Sequence, residues 1–278
     1  MKRSVPACLL ACISICIPFI SGAQLLRNSI SMPYLSLGAY STKQADPFSF
    51  TGNQAALMQA RSPGIGVYGE RRFMLPGNDV YCMAAAVPTA KGNFGLQVNY
   101  SGFPGFSEQA AGLAYARSLG SRADLGVQFN YYSYRIPGYG NASAIYFEAG
   151  AIVHLTEKLN AGIHFYNPYG GKLEKKTGEK IASVYQFGIG YDASEEFYFG
   201  GTISREENEP INVIAGIQYR FKKQFFFRGG FRSDNSTGFG GAGFMYKGMR
   251  MDIIASYHQQ LGISPGVLLA WNLKKIER

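Results

Sequence analysis

The chain has little with which to do covalent or metal chemistry: four cysteines, three histidines and one tryptophan in 278 residues. Cys8, Cys12 and Cys16 fall in the first 23 residues, so a chain processed there keeps only Cys82. That excludes an internal disulfide and a cysteine metal site. The net charge of +9 is dispersed in pairs such as Arg71-Arg72, Lys175-Lys176, Lys222-Lys223 and Lys274-Lys275. No basic stripe with interleaved aromatics results, and no nucleic-acid partner is expected. The glycine-rich stretches 200–201, 229–230 and 238–243 lack a Gly-Lys-Ser/Thr ending and a strand-to-helix setting, which excludes a phosphate loop. Glycine there is expected to permit bends in a curved sheet.

No apolar run is long enough for a membrane-spanning helix. The longest lies at the start, where Pro6, Ser14 and Pro18 keep it short of the roughly 20 residues required. Lys2 and Arg3 ahead of it and Ser21-Gly22-Ala23 behind it make it a secretory signal peptide over 1–23, with a mature chain from Gln24. Leu9-Leu10-Ala11-Cys12 is a loose lipobox, so lipoprotein processing is the competing reading of this segment.

What the chain does have is a period-two alternation from Gly64 onward. In 93–100, Phe94, Leu96, Val98 and Tyr100 face one way, and Asn93, Gly95, Gln97 and Asn99 the other. The polar face is Gly, Asn, Gln, Ser and Tyr rather than charge, which suits the lumen of a closed barrel whose apolar face meets lipid. Strands are expected at 65–73, 80–88, 93–101, 109–118, 124–134, 143–155, 159–167, 183–191, 197–205, 212–221, 225–232, 238–246, 249–257 and 266–273. Each has close to the roughly 9–11 residues a tilted membrane strand needs. The fold class is an all-β, transmembrane antiparallel up-and-down barrel of about 14 strands spanning 64–278.

Connections after the even strands are short and read as periplasmic turns, whereas 136–142, 168–182 and 258–265 read as the longer outer set. The 19 tyrosines and 20 phenylalanines crowd the strand ends, among them Tyr68, Phe73, Tyr81, Tyr100, Tyr131, Tyr134, Tyr191, Tyr219 and Tyr246, as aromatic girdles would. A β-sandwich also consumes aromatics, but at this length it would need two domains, and no linker is present. Leu96, Val98, Ile163, Ile217, Ile253 and Leu269 are expected on the lipid face. The localisation that follows is the outer membrane of a Gram-negative bacterium.

Residues 24–63 break the alternation. Asn53 can cap a short helix running to Arg61, ended by Ser62-Pro63-Gly64. Forty residues without a spanning strand exceed a tether, and a barrel of this size has room for a plug. The candidate plug residues are Asn53, Gln54, Ala55, Ala56 and Leu57. Candidate lumen polar residues are Gln97, Asn99, Gln128, Asn130, Glu148, His154, Arg220, Arg250 and Asp252. His154 and His164 are too far apart along the ladder to share a metal, and Asp252, Ser256 and His258 are spread too far along one strand for a triad. Arg220 or Arg250 pairing with Asp252 or Glu148 across the lumen is the expected use of these charges. No catalytic residue, metal or cofactor is assigned.

At 45–57 the chain resembles the FadL/PorV-type outer-membrane barrels, in which a signal peptide precedes an N-terminal hatch and fourteen strands. That hatch opens a short helix with Asn-Pro-Ala. Ala45-Asp46-Pro47-Phe48-Ser49 followed by Asn53-Gln54-Ala55-Ala56-Leu57 is similar, with Gln54 in the proline place. The short loops resemble the Bacteroidota members associated with type IX secretion, and the end at Trp271-Asn272-Leu273 and beyond departs from the usual terminal aromatic. The resemblance implies a non-catalytic component of a protein secretion or surface-attachment system. Its alternative is a FadL-like transporter of small hydrophobic compounds. Besides outer-membrane lipid, the implied partners are secretion-system proteins or a hydrophobic small molecule. Short loops favour the first, because ligand-capturing barrels build their sites from long ones.

Overall fold

The computed structural model describes residues 29–138, 140–170, 181–234 and 236–273. The signal-peptide reading of 1–23 lies outside the described residues, as do 24–28 and most of the 168–182 connection.

Fourteen strands form in chain order: β1 Gly64–Arg71, β2 Asp79–Thr89, β3 Gly92–Phe103, β4 Phe106–Leu119, β5 Ala123–Ile136, β6 Gly140–His154 and β7 Leu159–Tyr166. They continue as β8 Val184–Asp192, β9 Phe197–Glu206, β10 Asn212–Phe221, β11 Phe225–Arg232, β12 Thr237–Tyr246, β13 Met249–His258 and β14 Gly262–Asn272. Each pairs antiparallel with its neighbours, and β1 pairs with β14 from Gly64↔Asn272 to Glu70↔Gly266, which closes the barrel and leaves no edge.

Burial follows the alternation. On β13, Arg250, Asp252, Ile254 and Ser256 are buried, while Met249, Met251, Ile253 and Tyr257 are exposed. The six residues expected on the lipid face share that outward parity, with Ile253 at 66% exposure. An exposed isoleucine row of this kind is stable only against hydrocarbon.

The connections after even strands hold two to four residues and define what we term the turn end. Lys247 and Gly248 between β12 and β13 both take positive φ, the two-residue turn whose twist matches a hairpin. At the opposite, loop end, two expected long connections are tight: β6 starts at Gly140 and β14 at Gly262, leaving three residues in each. Strand pairing continued into segments that Gly and Pro had marked as loop, because ladder bonds in a closed sheet outweigh local turn preference. Tyr68 and Tyr134 depart from the girdle pattern: both face the lumen, and Tyr68, at 2% exposure, donates to Glu70 Oε2 at 2.7 Å. Phe73 lies on a 3-10 turn past β1, with its ring edge-on to His258 at 5.8 Å.

Residues 29–60 lie inside the barrel, and 61–63 lead to β1 at its rim, where Pro63 O accepts from Leu273 N at 2.8 Å. The segment comprises α1 Met32–Leu35 and three 3-10 helices, Leu37–Tyr40, Ser49–Thr51 and Gln54–Gln59. α1 meets β11 and β12, the first 3-10 helix meets β7 to β10, and the last meets β2 to β6. The segment therefore crosses the lumen from wall to wall. Asn53 accepts from Ala55 N at 3.1 Å as the expected cap, but the helix it opens is 3-10 and ends at Gln59, short pieces being where that tighter geometry is used.

Candidate functional site: the plugged lumen

Glycine makes room for the segment on the inner wall. A Cβ on Gly126 would stand 2.4 Å from the Gln54 carbonyl carbon, and one on Gly150 would stand 2.1 Å from Asn53 Oδ1. These glycines sit near the turn-end termini of β5 and β6, so the last 3-10 helix lies in the turn-end half of the lumen, whereas the start of the segment reaches the loop end, where Ser31 Oγ meets Ser256 Oγ at 2.9 Å.

The candidate plug residues Asn53, Gln54, Ala55, Ala56 and Leu57 are all buried there. Asn53 Nδ2 donates to Ile163 O at 3.0 Å, a carbonyl of the β7 wall. Gln54 Nε2 donates to Glu148 Oε2 at 2.7 Å. Glu148 also accepts from Asn130 Nδ2 at 3.0 Å and faces His164 Nε2 at 3.0 Å. Gln128 bridges Asn130 at 2.6 Å and Gln97 at 3.3 Å. Four of the candidate lumen residues thus lie on one inner surface across β3, β5 and β6, with Asn99 beside them carrying a buried Oδ1 that has no hydrogen-bond partner among the described residues. His154 stands apart, between Asp124 Oδ2 at 2.9 Å and Asn160 Oδ1 at 2.7 Å. Asn160 Nδ2 donates to Tyr40 O at 2.9 Å, and Asp124 accepts from Gln59 Nε2 at 3.0 Å, so this turn-end group also holds the segment.

Charges hold the opposite wall. Asp46 Oδ2 accepts from Arg228 Nη2 at 2.7 Å and Arg250 Nη1 at 3.2 Å. Arg250 also forms a two-point pair with Asp252, with Nε to Oδ1 at 2.8 Å, and Tyr34 OH donates to Asp252 Oδ2 at 2.9 Å. Two guanidinium and two carboxylate groups balance in a buried cluster, the condition under which buried charge is tolerated. Burial pushes the Asp46 carboxyl up, but Arg228 and Arg250 outweigh it, and the net direction is down. Arg250 with Asp252 is one of the four expected pairings, formed along β13 and not across the lumen. Arg220 is not in the cluster: it bonds the Glu195 carbonyl at the turn end.

Several anchors escaped the sequence reading. Arg228 is one; its mid-strand position on inward parity, among outward Phe225 and Phe227, was the available signal. Asp192 is another, accepting from Ser41 Oγ at 2.5 Å and Thr42 N at 2.9 Å. Glu70 is a third, taking the Ile30 and Ser31 amides at 3.1 and 3.3 Å. Nothing in local sequence marks these as partners of residues far away in the chain.

The loop-end half of the lumen has a different character. Tyr146 and Tyr166 rings lie 4.9 Å apart, and Tyr134 lies 6.4 Å from both Tyr132 and Phe106. Buried Ile181, Val184, Ala110 and Ala144 complete a ring-rich lining over β4 to β8, in which Tyr132 OH donates to the buried Glu108 Oε2 at 2.9 Å.

A closed fourteen-stranded antiparallel barrel with an internal N-terminal segment is the architecture of an outer-membrane β-barrel protein. No family model matches the chain, and no curated protein sequence matches it. Among solved structures it is similar to the monoaromatic hydrocarbon channel CymD, with a TM-score of 0.63 at 11% identity over 86% of this chain and 97% of that one. The Ralstonia pickettii toluene transporter TbuX follows at 0.60 and 11%, covering 85% and 96%. A Pseudomonas aeruginosa FadL homologue gives 0.55 and 12%, covering 86% and 96%. At these identities the likeness is one of fold, the FadL-type barrel. These neighbours are channels and transporters; the PorV-type, type IX secretion-associated branch has no counterpart among them.

Proposed function

We propose that the protein is a FadL-type channel of the outer membrane that admits small hydrophobic compounds, with its turn end toward the periplasm and 29–63 as the hatch. The observation that carries this is the division of the lumen: a ring-rich loop-end wall over β4 to β8 stands above a turn end closed by hydrogen-bonded chain. Rings on that wall suit a flat apolar solute, and the hatch bars ions and water. The similarity to hydrocarbon channels supports this reading over a secretion or surface-attachment component. The short loops that favoured the latter are compensated by a lining built from the strands themselves.

The test is uptake of labelled toluene by cells whose own hydrocarbon channels are deleted. Expression should raise the uptake rate, and Tyr146→Asp, which puts a charge among the rings, should return it to background with the barrel still assembled. Uptake unchanged by expression would reject the transport reading.

A further inference from the structure

The outer surface carries an apolar groove of about 570 Å³ over β7 to β11. Its origin is a matter of register. One outward row runs Ile189, Gly201, Ala215, Phe231 across β8 to β11, so the two central strands contribute almost no side chain. The adjoining row toward the turn end runs Leu159, Tyr191, Phe199, Ile217, and then falls to Gly229 on β11. The floor is therefore Gly201, Ala215 and Gly229, and the rims are full-sized apolar residues.

The wall beneath is bare on its inner face too. Gly200, Gly216 and Gly230 stand on inward parity at the same level, and a Cβ on Gly216 would come within 2.8 Å of Leu37 Cδ1 in the hatch. Only a backbone thickness separates the groove from the hatch. The floor glycines are different: a Cβ on Gly201 or Gly229 meets nothing closer than 3.8 and 3.6 Å, and neither has positive φ. No crowding or backbone need accounts for glycine at either position.

We propose that the groove is a binding site for one acyl chain of a membrane phospholipid. It rests on the membrane-spanning reading above. The ladder satisfies the backbone of the floor, and the lining offers one side-chain polar group, the Tyr191 hydroxyl, so water, which needs two to four polar partners, has no place in it. On a face immersed in hydrocarbon, such a hollow is filled by hydrocarbon. Its volume falls in the range of small-molecule sites, roughly 300–1,000 Å³. Leu159 and Tyr191 carry it to the turn end of the wall, where the phospholipid headgroups of that leaflet lie. A chain seated there braces the thin wall from outside as Leu37 braces it from within.

Protein in nanodiscs of palmitoyl-oleoyl phosphatidylglycerol, released into detergent and weighed by native mass spectrometry, tests this. Wild type should retain one phospholipid more than Gly229→Leu and Ala215→Leu, which fill the groove. Ala111→Leu, an outward substitution on β4, should retain as much as wild type. If Gly229→Leu fails to assemble, Ala215→Leu decides. Equal retention in wild type and the groove variants overturns the proposal, as does loss in these variants of a self-associated form or displacement of the lipid by toluene. Boiled and unboiled gel migration, run in parallel, tests the membrane reading separately: a chain with no mobility shift sinks that reading, whereas a shifted barrel without lipid sinks the groove alone.

Discussion

At the scale of single residues, the cluster around Asp46 makes the sharpest demand. Truncating one member of a buried charge set costs about 3–5 kcal/mol because its partner is left unpaired. Arg228→Met should therefore loosen the hatch by that order, read as a lower unfolding midpoint in detergent, and pairing it with Asp46→Asn should restore part of the loss. The pH dependence follows from the lowered Asp46 carboxyl. The extra stability of wild type over Asp46→Asn is fully present above the ordinary carboxylate range and disappears as pH falls through the lowered value. A constant difference down to strong acid contradicts the assignment. On the lipid face, Val98→Arg should cost about 2–4 kcal/mol near the bilayer centre. Gln97→Arg, on the opposite parity, should cost less in the same refolding titration.

At the scale of elements, the last 3-10 helix and β5 are fitted to each other through Gly126. A methyl group there meets backbone of Gln54 and Ala55, and backbone has no rotamer with which to yield. Gly126→Val should displace the helix without unfolding the barrel, since β5 remains paired to β4 and β6 along its length. Limited proteolysis should then cut between residues 53 and 61 in the variant and leave wild type intact; equal resistance would separate the helix from the wall contact. The clasp at Asp192 is independent of this one, being on β8. The segment should remain tethered at Ser41 and Thr42 even when its far end is free.

At the scale of the whole molecule, the barrel and its contents are separable. The strands close on themselves through β1 and β14, and no strand depends on residues 29–63 for a ladder partner. Deleting 32–60 should leave a folded barrel with higher ion conductance in planar bilayers. A silent deletion variant, or wild type conducting as an open pore, would remove the gating role from the hatch. The deletion also exposes Glu148, Asp192, Arg228 and Arg250 to lumen water, so these charges lose their hatch partners but keep those on the wall and regain solvent, and the barrel should tolerate the change.

Strand number, the facing of Leu96, Ile217 or Ile253, and the absence of spanning strands before Gly64 were all legible in the sequence. Each is local: side chains alternate along any strand, and the medium on either side selects their polarity. The inward facing of Arg250 and Asp252 was legible for the same reason, but the expected pairing was across the lumen, whereas the two residues meet along one strand. Who meets Asp46 was not legible, because Arg228 and Arg250 lie 182 and 204 residues further along. The meeting depends on barrel closure and on the path of the segment across the lumen. The lipid-face groove has the same origin. Glycines at 201 and 229 read as ordinary flexibility until the register of β8 to β11 sets their gaps side by side, and register across a closed sheet is fixed by all fourteen strands together.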